Sequence, residues 1–189
     1  NNNSIEIIIR ENLKKSCDQL DSLQRRFGNV FVFYNEAIFG FGKNHNLNFN
    51  CCDRDSRYFI VCNPDLVEIP FFEDTVPEYD SYYLSSATIL NADESHADFL
   101  RGELSLRVLL ARFLGFDVGR TTATDVVWVP SVFKLFSRGL FADLGGYDEA
   151  IFMYYEDYDI CMRARALCDL VVVPNLVVVH EGRRASRRD

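Results

Sequence analysis

A chain of 189 residues, 48% hydrophobic and 14% aromatic, can bury one sizeable core, which predicts a single folded domain over 1–189 and excludes a disordered chain. A formal net charge of −8 argues against a general nucleic-acid binder, so no nucleic-acid partner is assigned. Six cysteines with no CxxC pair, no apolar run of membrane-spanning length and no signal peptide predict a soluble protein of a reducing compartment, read as cytoplasmic.

In chain order, Ser4 can cap a helix in which Ile5, Ile8, Ile9, Leu13, Cys17, Leu20, Leu23 and Phe27 recur at helical spacing, with Gly28 as its stop. "NVFVFYN", residues 29–35, reads as a buried strand, followed by a polar connection, "FGFGKNHNLNFN". "RYFIVC", residues 57–62, is a second strand and runs directly into "NPD". Residues 66–80 are acidic and broken by proline, which predicts a loop. "YYLSSATIL", 82–90, is a strand, and "ELSLRVLLARFLG", 103–115, a helix stopped by Gly115. "DVVWVPSVFKLF" reads as a strand interrupted by Pro130, and "SRGLFADLGG" as a short helix closed by two glycines. An acidic helix start follows, and "LVVVPNLVVVHEG" supplies one or two late strands. Strands alternating with helices predict an α/β layered domain with a largely parallel sheet, whose ligands bind beyond the carboxyl ends of the strands.

Four segments could carry chemistry. In "VCNPD", Asp65 follows Asn63 and Pro64 at a strand's carboxyl end; a lone carboxylate there can hold a divalent ion, and the same three residues are ordinary turn formers. "GFGKNHN" offers Gly40 and Gly42 for close backbone approach and Asn44 and Asn46 for bonding a ligand, or else makes a tight polar connection; it matches neither GxGxxG nor a P-loop. His180 ends the apolar run Val177 to Val179, as a structural histidine or as a partner of Asp65 on one metal. "DEAIFMYYEDYDICMRARAL", residues 148–167, packs five acids, three tyrosines and two arginines into twenty positions. On a helix starting near Glu156, Asp157 shares a face with Ile160, Cys161 and Ala164 and points inward, while Asp159 and Arg163 pair four apart, leaving Asp157 without a local cation. That arrangement fits a general base and also a capped surface helix. "RRASRR", from Arg183 to Arg188, is the one concentrated positive segment, either an exposed tail or a contact for phosphate-rich or anionic membrane surfaces.

Taken in order, "NNNS", "GFGKNHN", "YFIVCNPD", "ILNADES", "VVWVPSVFKLFSRGLFADLGGYDEAIFMYYEDYDICMRARA" and "VVVPNLVVVHEGRRAS" resemble the family 2 glycosyltransferases, and within them the bacterial rhamnosyltransferase-like branch. The resemblance implies a GT-A fold, a Rossmann-like α/β domain with a mostly parallel central sheet, binding a nucleotide sugar and Mg2+ or Mn2+. Asp65 matches the metal-binding aspartate of the family's "NPD" form of the DxD motif, Asn63 accompanies it on the donor side, and His180 matches a late histidine near metal and diphosphate. Asp157 matches the base of the "ED" motif, with Glu156 as its other member. Asn3 and Ser4 resemble the end of the nucleotide-binding "DNNS" motif, and Gly40, Gly42, Asn44 and Asn46 fall where the family has a nucleotide-facing loop. The tyrosines beside Asp157 would offer apolar faces to sugar rings.

The activity so implied is metal-dependent, inverting transfer of a sugar, L-rhamnose from dTDP-rhamnose, or another dTDP- or UDP-sugar, to a hydroxyl of a surface polysaccharide or lipid-linked precursor, with a peripheral contact at the inner face of the cell membrane. The chain departs from the family in beginning after the usual first strand and helix and in stopping within a charged stretch, so both ends are expected to be truncated. It also carries Pro130 and Ser131 where Ser-Gly is common. A glycan- or partner-binding module without activity and a nucleotidyltransferase are the competing expectations.

Overall fold

The computed structural model describes residues 5–12, 17–68, 82–93, 95, 99–116, 118–121 and 125–181. Asn3, Ser4 and the basic segment 183–188 lie outside them, so the nucleotide role expected of the first two and the contact expected of the third are not addressed by the fold.

The chain opens with β1 (Ile7–Glu11), α1 (Asp18–Arg26) and β2 (Val30–Tyr34), and the two strands pair in parallel from Ile7↔Val30 to Glu11↔Tyr34. The single helix expected from Ser4 to Phe27 is therefore corrected: the isoleucines that fit helical spacing form a strand, because three consecutive β-branched residues can pair along β2. What remains helical has Asp18 and Asp21 in its first turn and Arg25 and Arg26 in its last, matching the macrodipole. The Tyr34 hydroxyl donates to Asp21 at 2.5 Å and ties α1 to β2.

Next comes α2 (Phe41–Cys51), where the sequence predicted a polar connection. The remaining elements are β3 (Tyr58–Cys62), β4 (Leu66–Glu68), β5 (Leu84–Asn91), α3 (Leu106–Phe113), β6 (Phe133–Ser137), α4 (Arg138–Asp143), α5 (Glu156–Ala164) and β7 (Leu170–His180). β6 starts three residues after Pro130, so the proline precedes the strand and does not interrupt it. The late apolar run is one strand, β7, whose register against β5 shifts between Ala87↔Val173 and Thr88↔Val177; Pro174 sits at that irregularity, where a missing N–H is tolerated.

The five strands run in the order β3-β6-β5-β7-β4. The expected mostly parallel sheet is mixed: β5 and β7 are parallel, whereas β6 runs antiparallel to β3 and β5, and β4 antiparallel to β7. As a result the carboxyl ends of β3, β5 and β7 and the amino end of β6 share one edge. The core lies where β6 meets α4 and α5, with Phe133, Leu135, Phe136, Leu140, Phe141, Ile160, Cys161 and Ala164 all buried. The inward face read from the sequence for Ile160, Cys161 and Ala164 is the face observed. All six cysteines are unpaired, and no helix of the described residues is long and apolar enough to cross a membrane.

Candidate active site

Two groups of side chains lie along that shared edge. At its β7–β4 end, Leu66 pairs with His180, and the Glu181 amide donates to the Asp65 carbonyl at 3.1 Å. This register sets His180 Nε2 3.1 Å from Asp65 Oδ1. The two atoms approach without the alignment of a hydrogen bond; both are buried, and neither has a hydrogen-bond partner among the described residues. Two lone-pair atoms so placed fit adjacent ligands of one hard cation, since ligands at right angles about 2.1 Å from an ion lie about 3 Å apart. A cation of that kind keeps several sites for water or phosphate, so two protein ligands suffice. No cluster of three candidate ligands occurs among the described residues. Asn63 ends β3 on the same edge, its amide donating to the Val132 carbonyl at 3.0 Å.

The second group surrounds the first turn of α5. Asp157 accepts from Lys134 Nζ at 3.0 Å and from the Ser131 hydroxyl, both on Oδ1. The Ser131 and Tyr147 hydroxyls are 2.8 Å apart. Burial raises the Tyr147 phenol well above its usual range, so it keeps its proton and donates to Ser131, whose own hydrogen then points at Asp157. Both contacts fall on Oδ1; Oδ2 has no hydrogen-bond partner among the described residues. Burial pulls the Lys134 ammonium down, but the Asp157 carboxylate beside it, with Cys161 and Tyr147, lifts it above the ordinary lysine value. His45 retains some exposed surface, yet its ring packs on Phe41 at 4.4 Å and near Tyr147 at 6.1 Å. Desolvation lowers it to about 4, with Asp157 opposing and Lys134 assisting.

Glu156, the other expected catalytic carboxylate, is turned inward. Its side chain is buried, its Oε2 has no partner among the described residues, and burial raises it above the usual carboxylate range. Tyr154 and Tyr155 point the other way, 60% and 59% exposed, on backbone with φ of 66° and 68°. Asp159 and Arg163 form the expected pair at 2.6 Å, and Arg163 also donates to the carbonyls of Leu144 and Gly146.

The four residues expected in a nucleotide-facing loop are corrected in form. Gly40 precedes α2, and Gly42, Asn44 and Asn46 lie in its first turns. A Cβ on Gly40 would stand 2.3 Å from the Phe152 carbonyl oxygen, and one on Gly42 2.6 Å from Tyr147 Cβ. Asn46 exchanges two hydrogen bonds with the Tyr147 backbone, at 2.8 and 2.9 Å. Asn44 accepts from Asn35 at 2.7 Å and donates toward Asn12 and the Phe39 carbonyl. Gly40, Gly42 and Asn46 clasp α2 against the turn that leads into α5, Asn44 ties it to Asn12 and Asn35, and the polar groups of both amides are engaged within the protein.

Sequence reasoning missed Lys134, Tyr147, His45 and Asn12. Lys134 could have been found, because a lysine inside the apolar strand "VFKLF" calls for a buried carboxylate partner. Asn12 directly follows β1 on the side where parallel strands end, where it bonds Asn35 at 2.9 Å.

No family model matches the chain. It is 25% identical to rhamnosyltransferase WbbL of Escherichia coli over 208 residues, covering 96% of this chain and 75% of that protein. Among solved structures it superposes on GalNAc-T7 with UDP, GalNAc and Mn2+ at a TM-score of 0.62 and 16% identity, over 93% of this chain and 37% of that one. Mannosyltransferase PcManGT from Pyrobaculum calidifontis, in complex with GDP-Man and Mn2+, gives 0.55 at 13% identity over 95% of this chain. Residues 1–349 of S. aureus TarS give 0.52 at 14% over 94%. The chain spans less than half of each of these solved chains, and identities so low establish the fold alone.

Proposed function

From a chain that is a glycosyltransferase family 2-like protein of the GT-A fold, we propose a metal-dependent, inverting transfer of a sugar from a nucleotide-sugar donor to an acceptor hydroxyl. The observation that carries this reading is the single sheet edge shared by the Asp65–His180 pair and by Asp157. The first group suits a cation and the second a base. β5 lies between β6 and β7, so the axes of those two strands are roughly 10 Å apart along the edge.

In this reading Asp65 and His180 would hold Mg2+ or Mn2+, which supplies charge to stabilise a leaving diphosphate. Asp157 Oδ2 takes the proton of the acceptor hydroxyl. The acceptor oxygen bonds to the anomeric carbon as the bond to the diphosphate breaks, so the configuration inverts and no covalent enzyme intermediate forms. The exposed rings of Tyr154 and Tyr155 offer apolar faces to acceptor sugars. The similar proteins support the finer points: a rhamnosyltransferase for the sugar, and complexes with UDP or GDP-Man and Mn2+ for donor and metal. Rhamnose from dTDP-rhamnose, moved to a surface polysaccharide or a lipid-linked precursor at the inner membrane face, is the specific form of the proposal.

Calorimetric titration of dTDP-rhamnose and other nucleotide sugars, with and without Mn2+ or Mg2+, tests it. Metal-dependent binding of one donor is expected, lost in Asp65→Ala and His180→Ala and retained in Asp157→Asn. Transfer in Asp157→Asn should fall by about 10²- to 10⁴-fold. Wild-type turnover in that variant removes the base, and silence across the donor panel turns the reading to a binding module.

A further inference from the structure

We infer that Lys134 is a positioning residue for the transfer step, pinning one oxygen of Asp157 so that the other faces the acceptor; this rests on the reading of Asp157 as the base. The observation that carries it is a lysine side chain with 0% exposure near the amino end of β6, among Phe133, Leu135 and Phe136, which are also buried. Removing an ammonium from water is costly, and apolar side chains of similar volume in place of both members of a buried ion pair are often as stabilising or more so. Retention of the charge therefore points to what it touches.

What it touches is one residue. The ammonium reaches Asp157 Oδ1 at 3.0 Å and the Asp157 backbone carbonyl at 3.5 Å, and it pairs with no other carboxylate among the described residues. Two contacts on the same residue fix both the first turn of α5 and the rotation of its carboxylate. Among the described residues the surrounding elements add no second anion at hydrogen-bond distance: His45 comes from α2, Ser131 and Tyr147 bring hydroxyls, and Cys161 brings a thiol from one turn further along α5. Glu156 feels the charge without bonding it. Ser131 meets the same Oδ1, so lysine and serine together reserve Oδ2.

Lys134→Met in the full chain tests the assignment, with dTDP-rhamnose and Mn2+ as donor and metal and a panel of octyl glycosides as acceptors. The expected result is a lower unfolding temperature, because the Asp157 carboxylate loses its partner, with donor binding by the folded variant within about twofold of wild type and a kcat lower by roughly 10- to 100-fold. Wild-type kcat in the variant overturns the inference, as does a loss of donor binding in parallel with transfer, which marks a structural lysine. A second measurement is independent of activity. The 15N resonance of the Lys134 ammonium should persist above about pH 10.4, where free lysine loses its proton, and should vanish at lower pH in Asp157→Asn. Titration like a free lysine removes the pair while leaving Asp157 as base. No transfer from wild type with the ammonium signal intact removes the reading of the base, and with it the role of Lys134.

Discussion

Tyr154 and Tyr155 adopt left-handed backbone at φ of 66° and 68°, a region that costs a bulky residue about 1–2 kcal/mol. Two such residues in succession reverse the chain so sharply that Glu156 enters the core while both tyrosines stay in solvent. Tyr155→Gly is expected to leave the unfolding temperature unchanged or raise it, because glycine adopts this conformation without strain. The same change should raise the acceptor KM and leave donor binding alone if the ring serves the acceptor. Calorimetric melting and initial-rate kinetics read the two effects separately. The sequence placed tyrosines beside Asp157 but could not show the reversal, because nothing in "MYYED" calls for positive φ as glycine or asparagine would. Asp157 was legible as an inward carboxylate from the spacing of Ile160, Cys161 and Ala164; its cation was not, being supplied by another element.

α2 is built from poor helix formers, four asparagines and a glycine in eleven residues, which is why it read as a connection. Tertiary bonds compensate: Asn44 joins Asn35, Asn46 joins Tyr147, and Asn48 accepts from Arg10 Nε at 2.8 Å. The reverse error occurred at β1, where helical spacing of isoleucines was outweighed by pairing with β2. β2, β3, β5, α3 and α4 were readable within a few residues because each is a short run with clear stop signals. Contact between α2 and the 146–152 turn predicts that Gly42→Ala destabilises the protein by about 1–3 kcal/mol, through a Cβ overlapping that of Tyr147. Denaturant unfolding measures the loss. Transfer should weaken as well, since Tyr147 orients Ser131 against Asp157.

At the scale of the whole molecule, acid stability should depend on His45. The unfolded chain protonates this histidine near its ordinary value of 6.5, whereas the folded protein does so at about 4. Above 6.5 both states are neutral and the group contributes no slope; between 6.5 and 4 the unfolded chain binds the proton first, so stability is lost as pH falls. Melting temperatures followed across that window should drop more steeply for wild type than for His45→Phe, and equal slopes would show that the imidazole does not stay neutral in the fold. The sequence foretold an α/β layered domain. It could not foretell β6 running backwards, since strand direction depends on long-range pairing, and that reversal is what brings Ser131 and Lys134 to the edge. The placement of Asp65 opposite His180 has a further consequence. About 115 residues of chain separate them, so an ion gripping both side chains would join distant parts of the chain in the native state alone, stabilising the fold by mass action in proportion to its concentration. Occupancy by a cation would then stiffen the sheet from β4 to β7 and coordinate the folding of two distant halves of the chain before any sugar arrives.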